Sequence, residues 1–252
     1  MQTPANDDLN RRANASVGSS TRVLGIIPAR GGSKGLLRKN LRSLGGMPLI
    51  AHTIQAALAS RLIDLVVVST EDPEIAAVAA SFGATVIDRP ASLATDTVQN
   101  NDVVRHAIQT IGQDFSHIAL LQPTSPLRSA SHIDECLAPL MAGSARSVMT
   151  VTNVEHHPGK TLHLDPLGNI SPFTSATDME ARRQDLPTLH RQNGAVYALA
   201  TADFLKENRF ILSPCRASLM PQACSVDIDS EFDLLIAENL IASTNGLRRT
   251  SS

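Results

Sequence analysis

Tryptophan is absent from the 252-residue chain, tyrosine occurs once and phenylalanine six times. With a formal net charge of only -2, that scarcity of rings argues against a nucleic-acid surface, which needs basic residues interleaved with aromatic platforms. Cysteine is scarce too. Cys136, Cys215 and Cys224 are far apart and odd in number, so they suggest neither a disulfide framework nor a metal-ligand spacing, and a reducing cytoplasm suits them. No apolar run approaches the roughly 18 residues of a membrane-spanning helix. From Met1 to about Arg22 the chain is polar and rich in Ser, Asn and Arg. It lacks the apolar stretch of a secretory signal and is expected to be a mobile tail.

Acid is missing where base is crowded. No Asp or Glu lies between Asp8 and Asp64, while Arg30, Lys34, Arg38, Lys39 and Arg42 fall close together. Such a cluster is either a solvated loop or a local anion site, because a small polyphosphate needs a few focused cations and no whole-protein charge.

The hydrophobic pattern predicts an α/β fold. Val23 to Ala29 is a short apolar run ending in a Gly-rich loop, as expected of a buried strand. Met47 to Ser60 has helical apolar spacing with Pro48 in the first turn. Leu65 to Val68 is a second buried strand, and Asp72-Pro73-Glu74 opens a helix with a cap, a proline and an acid. Strands are expected at Thr85–Ile87, Ile118–Leu121, Val148–Val151, Ala195–Leu199 and Val226–Ile228. Helices are expected at about Asn101–Ile111, after a cap at Ser131 with Asp134, and from Glu231. This alternation predicts one domain over residues 23–245 with a mostly parallel sheet and helices on both faces. The rhythm breaks from about Asn153 to Arg191, a segment rich in Pro, His and charge, which reads as an inserted arm or a disordered insert.

Five segments carry chemistry. Pro28 to Gly35, followed by Lys39-Asn40, places glycines and cations beyond a strand end, where backbone N–H groups can approach phosphate. Its spacing is neither that of a P-loop nor G-x-G-x-x-G. Asp227 and Asp229, ahead of Ser230-Glu231-Phe232-Asp233, offer two carboxylates at a turn. They either share a magnesium ion with phosphate oxygens and water, or Asp229 or Ser230 caps the next helix with help from Asp233. Leu121 to Arg128 (LQPTSPLR) is a proline-stiffened loop presenting Gln, Thr, Ser and Arg. Glu155 to Lys160 (EHHPGK) has adjacent histidines with no second pair at ligand spacing, which argues against zinc. The last segment joins Arg182 to Pro187 with Asn193 to Tyr197.

Taken in order, IIPARGGSKG with KN, RPASLATDT, LLQPTSPLR, EHHPGKTL, RQDLP, NGAVY and DIDSEFDL resemble the acylneuraminate cytidylyltransferase family, the CMP-sialic acid synthetases. The resemblance runs from about Val23 to about Ala242. It implies a Rossmann-like nucleotidyltransferase domain of the nucleotide-diphospho-sugar transferase type, using CTP and Mg²⁺. It implies that Arg30, Lys34 and Lys39 hold the triphosphate and that Asp227 and Asp229 hold the metal. Asn40 and Gln122 would lie near nucleotide or sugar, and Arg89 and Asn100 by the cytidine. Lys160, Arg183 and Tyr197 would shape the sugar pocket. It also implies a homodimer whose arm completes the opposite subunit's site. The chain departs from related sequences at Leu36-Leu37-Arg38 and at the residue after Arg30. The expected reaction is attack of a sugar acid's anomeric hydroxyl on the α-phosphorus of CTP, with N-acetylneuraminate as the first substrate and legionaminic acid as an alternative. A sugar-1-phosphate nucleotidyltransferase is disfavoured by EHHPGKTL. A non-catalytic nucleotide-binding relative would have lost Lys39, Asp227 or Asp229, and all three are present.

Overall fold

The apolar run at Val23 becomes an interior strand of a seven-stranded sheet. The computed structural model describes residues 21–33 and 35–249. The chain forms β1 (Val23–Pro28), a small hairpin of β2 (Ser43–Leu44) and β3 (Met47–Pro48), α1 (Leu49–Leu58), β4 (Leu65–Thr70), α2 (Pro73–Ser81) and β5 (Thr85–Asp88). It continues with α3 (Asn100–Ile111), β6 (His117–Leu120), α4 (Ala130–Met141) and β7 (Ser147–Asn153). The arm holds a hairpin, β8 (Leu162–Leu164) with β9 (Ile170–Pro172), and the short helix α5 (Ala176–Glu180). Last come β10 (His190–Ala200), α6 (Thr201–Glu207), β11 (Cys215–Leu219) and α7 (Glu231–Arg249). The sheet order is β11-β7-β10-β6-β1-β4-β5, and β10 alone runs against its neighbours. This is the mostly parallel α/β sheet that the alternation predicts, of the Rossmann-like kind that the family resemblance implies.

Both faces of the sheet are covered, so its strands are apolar on both sides. On β1, Val23 and Ile27 face a core built with Ile50 and Ile54 of α1, Ile75 of α2 and Leu137 of α4. Leu24 and Ile26 point the other way, onto Val104 of α3 and Phe204 of α6. The period-two alternation of a strand thus feeds two separate cores.

Local chemistry explains most boundaries and several departures. Asp72 caps α2, its Oδ1 accepting the N–H groups of Glu74 and Ile75 at 2.9 and 3.0 Å. The helix expected from Met47 starts at Leu49, because Met47 and Pro48 pair with Leu44 and Ser43 in the hairpin. The cap of α4 is Ser129 and not Ser131: its Oγ accepts from the His132 N–H while His132 Nδ1 accepts from the Ser129 N–H. Asp134 turns inward instead, accepting the Ser60 hydroxyl at 2.6 Å. No strand forms at Val226–Ile228. One edge of the sheet is β11, which the pattern did not predict, and it pairs in parallel with β7. Helix α6 is likewise a finding of the structure.

The arm is an outgrowth of the β7/β10 ladder, whose last pairs are Arg191 with Thr152 and His190 with Asn153. Residues 1–20 of the expected tail lie outside the described residues. Arg22, placed at the end of that tail, is fastened: its guanidinium lies 4.3 Å from the Phe115 ring centroid and donates to Gln113 at 3.2 Å. No helix among the described residues is long and apolar enough to cross a membrane.

Phe204 is fully buried and stacks 5.0 Å from Phe210. Phe204→Ala should therefore cost about 3–5 kcal/mol, read as a lowered urea midpoint.

Candidate active site

Loops after parallel strands emerge at one edge of a sheet, and here they enclose a cavity of about 350 Å³. Arg30 follows β1, Arg89 follows β5 and Gln122 follows β6, and all three line it with Lys39, Asn40, Asn100, Asp227 and Asp229. Eight of the predicted site residues therefore share one hollow, drawn from segments nearly 200 residues apart in the chain. Lys34 lies outside the described residues.

The basic cluster divides by partner. Arg30 pairs with Asp96 at 2.8 Å and Lys39 with Asp229 Oδ1 at 2.8 Å, both at the cavity. Arg38 turns away to Asp72 and Glu74, and Arg42 forms a two-pronged pair with Glu231 at 2.6 and 2.8 Å. Asn40 holds the loop in place, donating to the Arg30 carbonyl at 3.0 Å. Gly35 is required for another reason: a Cβ there would run into the Asp229 carbonyl, so the basic loop and the acidic turn touch backbone to backbone.

The acidic turn separates two tasks. Ser230 and Asp233 cap α7: the Asp233 carboxylate accepts the N–H groups of Asp229 and Ser230 at 3.1 and 2.8 Å, and Ser230 Oγ accepts the Asp233 N–H at 3.4 Å. Burial would raise the Asp233 pKa, but the Ser230 hydroxyl and these N–H groups bring it below the usual range. The Asp229 carboxylate is left to meet Lys39. Asp227 is pushed upward by burial first and by the Asp229 charge, against a hydrogen bond from Thr124 and the Lys39 charge. Two carboxylates on one turn, one of them desolvated and one paired with an ammonium, are oxygen donors of the type that a hard divalent cation takes. Among the described residues no group of three or more His, Cys, Asp or Glu gathers to hold a metal.

The LQPTSPLR loop is anchored from beneath. Arg128 is buried without a carboxylate, and burial lowers its pKa to about 9. It donates to the Gln122 carbonyl at 3.0 Å, to the Ala195 carbonyl and to Thr53 Oγ1. A second cavity of about 400 Å³ adjoins the first, sharing Asn100 and Gln122 and lined by Tyr197 and Phe210. Tyr197 is thus at the site. Burial, then the Asp227 charge, raises its pKa.

Lys160 and Arg183 line neither cavity. Lys160 Nζ donates to the carbonyls of Met179 (2.6 Å) and Ala181, bracing its own arm, and Arg183 is exposed on it. Both ring nitrogens of His157 are engaged within the arm, with the Gly159 N–H and the Pro187 carbonyl. Three residues escaped the sequence reading. Glu71 and Phe210 sit in no motif. Arg191, immediately before QNGAVY, bonds Glu155 at 2.7 and 2.8 Å and feels the Asp227 charge. An isolated arginine ahead of a strand was the only signal.

A Rossmann-like sheet whose strand ends carry a Gly-rich basic loop opposite a carboxylate pair defines a nucleotidyltransferase fold. The chain belongs to the cytidylyltransferase family, whose family model matches residues 24–214. It is 34% identical over 218 residues to the N-acylneuraminate cytidylyltransferase of Escherichia coli O18:K1:H7, covering 86% of this chain but 51% of that protein. The chain thus spans about half the length of that relative and of Streptococcus agalactiae proteins of the same name. It is 37% identical to the CMP-N,N'-diacetyllegionaminic acid synthase of Legionella pneumophila, covering 87% and 96% of the two chains. It is 31% identical to the pseudaminic acid cytidylyltransferase of Campylobacter jejuni, covering 85% and 94%. A solved CMP:2-keto-3-deoxy-manno-octonic acid synthetase complexed with CTP shares the fold, with a TM-score of 0.67 at 16% identity, covering 89% of this chain and 100% of that one.

The division of labour at the acidic turn is testable by stability. Asp233→Ala removes the cap and should cost about 1 kcal/mol. Asp229→Asn, which leaves that cap in place, should change the unfolding free energy, read from a urea titration, by less than about 0.5 kcal/mol.

Proposed function

We propose that the chain joins CMP from CTP to a sialic-acid-type nonulosonic acid, releasing pyrophosphate. The observation that carries this is the meeting, in one hollow, of Arg30 and Lys39 with Asp227 and Asp229. Arg30 and Lys39 would exchange their carboxylate partners for triphosphate oxygens, which is inexpensive because both pairs are partly exposed. Asn40 would keep the loop that carries Arg30 in register. Asp227 and Asp229 would hold magnesium, which when bound supplies positive charge at the α-phosphate and acidifies a nearby hydroxyl. The adjoining hollow at Tyr197 and Phe210 is where the sugar acid would lie, with its anomeric hydroxyl facing the α-phosphorus across Gln122. Little covalent work falls to the protein; it aligns the attack and neutralises charge.

N-acetylneuraminate is the first substrate to test, on the strength of the E. coli and S. agalactiae relatives' names. N,N'-diacetyllegionaminic acid is the second, supported by the L. pneumophila match over nearly that whole protein. Pyrophosphate release from CTP with each acid, and the mass of the CMP-sugar formed, decides between them. Asp229→Asn should lower turnover by at least about a hundredfold while the fold survives. Near-normal turnover would remove the metal assignment.

The arm supports a homodimer. Leu164, Leu167, Ile170 and Phe173 are 72%, 87%, 58% and 55% exposed along one outgrowth, an apolar surface that a two-fold partner would cover. In such a dimer Lys160 and Arg183, which line neither cavity of their own chain, would act on the partner's site. Mixing Asp229→Asn with Arg183→Ala and allowing subunits to exchange should restore activity, since one hybrid site is then intact. No recovery in proven mixed dimers means that the arm serves its own subunit.

A further inference from the structure

Three strand ends converge on a carboxylate that belongs to none of the motifs. The parallel register sets Pro28 opposite Ser69 and Thr70 opposite Asp88. The residues just beyond β1, β4 and β5 are therefore neighbours. Glu71, the first residue after β4, uses both of its oxygens there. Oε1 accepts the Gly31 N–H at 2.7 Å, and Oε2 accepts Nε and Nη2 of Arg89 at 3.1 and 2.7 Å. The Arg89 side chain is 4% exposed and the Glu71 side chain 22%. The next residue tightens the same corner, for the Asp72 carboxylate lies against Gly31 where any Cβ would collide.

We propose that Glu71 is a positioning residue for nucleotide recognition, setting with one carboxylate both the Gly31 turn of the basic loop and the orientation of Arg89. This rests on the reading of the cavity as a CTP site. The Gly31 N–H is spent on Glu71, so that bond shapes the turn just after Arg30, which lines the cavity. A bare carboxylate at this position would repel a triphosphate, and Arg89 cancels its charge. The guanidinium is held by its Nε–Nη2 edge, and its other edge is the one that can meet a ligand in the cavity that Arg89 lines. Charge-assisted bonds from a nearly buried arginine hold such an orientation far better than an exposed pair does.

The test compares wild type, Glu71→Gln and Glu71→Asp with CTP and then the sugar acid varied, alongside urea midpoints. In Glu71→Gln one oxygen and one NH₂ group face the same three N–H donors, so either the Gly31 link or the Arg89 link is lost. KM for CTP should rise about tenfold, with kcat and KM for the sugar acid within about twofold. Glu71→Asp keeps the charge and should recover part of that loss. Arg89→Lys should be nearly as defective as Glu71→Gln, and the double variant no worse than either, because the two act as one unit. An unchanged KM for CTP in folded Glu71→Gln overturns the proposal. So does a fall in kcat and a rise in both KM values that simply track a lower urea midpoint. If Glu71→Gln does not fold, Glu71→Asp decides by the same KM split. A wild-type chain with no CTP-dependent pyrophosphate release sinks the site reading and this role with it, and that failure is distinct because it appears without any substitution.

Discussion

The parallel alignment of β1, β4, β5 and β6 is the constraint on which the site depends. Because those strands point the same way, the segments that follow them emerge at one edge, bringing Arg30, Glu71, Arg89 and Gln122 together. The reversed strand β10 completes the arrangement. Running against its neighbours, it presents its beginning at that edge, so Arg191 and Tyr197 come within reach of Asp227. A sheet with β10 turned round would send these residues to the far side.

Three cations at this edge have carboxylate partners within the chain. Arg30 meets Asp96, Lys39 meets Asp229 and Arg89 meets Glu71. The pairs differ in burial, and burial decides what each can do. The first two are partly exposed, weak and open to exchange with a polyphosphate. The Arg89–Glu71 pair is largely withdrawn from water and is suited to holding a shape. The same logic separates the cations of the basic segment: Arg38 and Arg42 are spent on α2 and α7, and they tie the loop to the helices that flank it.

The arm meets two physical demands at once. Its backbone needs partners, which the β8/β9 hairpin, the β7/β10 ladder and the carbonyl contacts of Lys160 supply. Its apolar side chains need cover, which its own short elements do not provide. An outgrowth of this kind is internally ordered yet leaves apolar surface exposed.

Much of the fold was legible in the residues. Buried strands announced themselves as Val, Leu and Ile runs, and the cap at Asp72 followed from Asp-Pro-Glu, because such signals act over a few residues of chain. The Gly-rich basic loop and the paired aspartates were legible too, since chemistry demands those residue types in close spacing. The edge strand β11 was not, for Cys215 to Leu219 is short and mixed in character and becomes a strand only because β7 offers a ladder. Nor was the choice between Asp229 as cap and Asp229 as site residue: sequence placed both roles on one turn, and only the packing of α7 gave the cap to Ser230 and Asp233. Glu71 and Phe210 were invisible for the same reason. Local sequence determined the elements and the chemical groups available, whereas which groups meet is a matter of strand register and direction, a long-range property that no short window of residues contains.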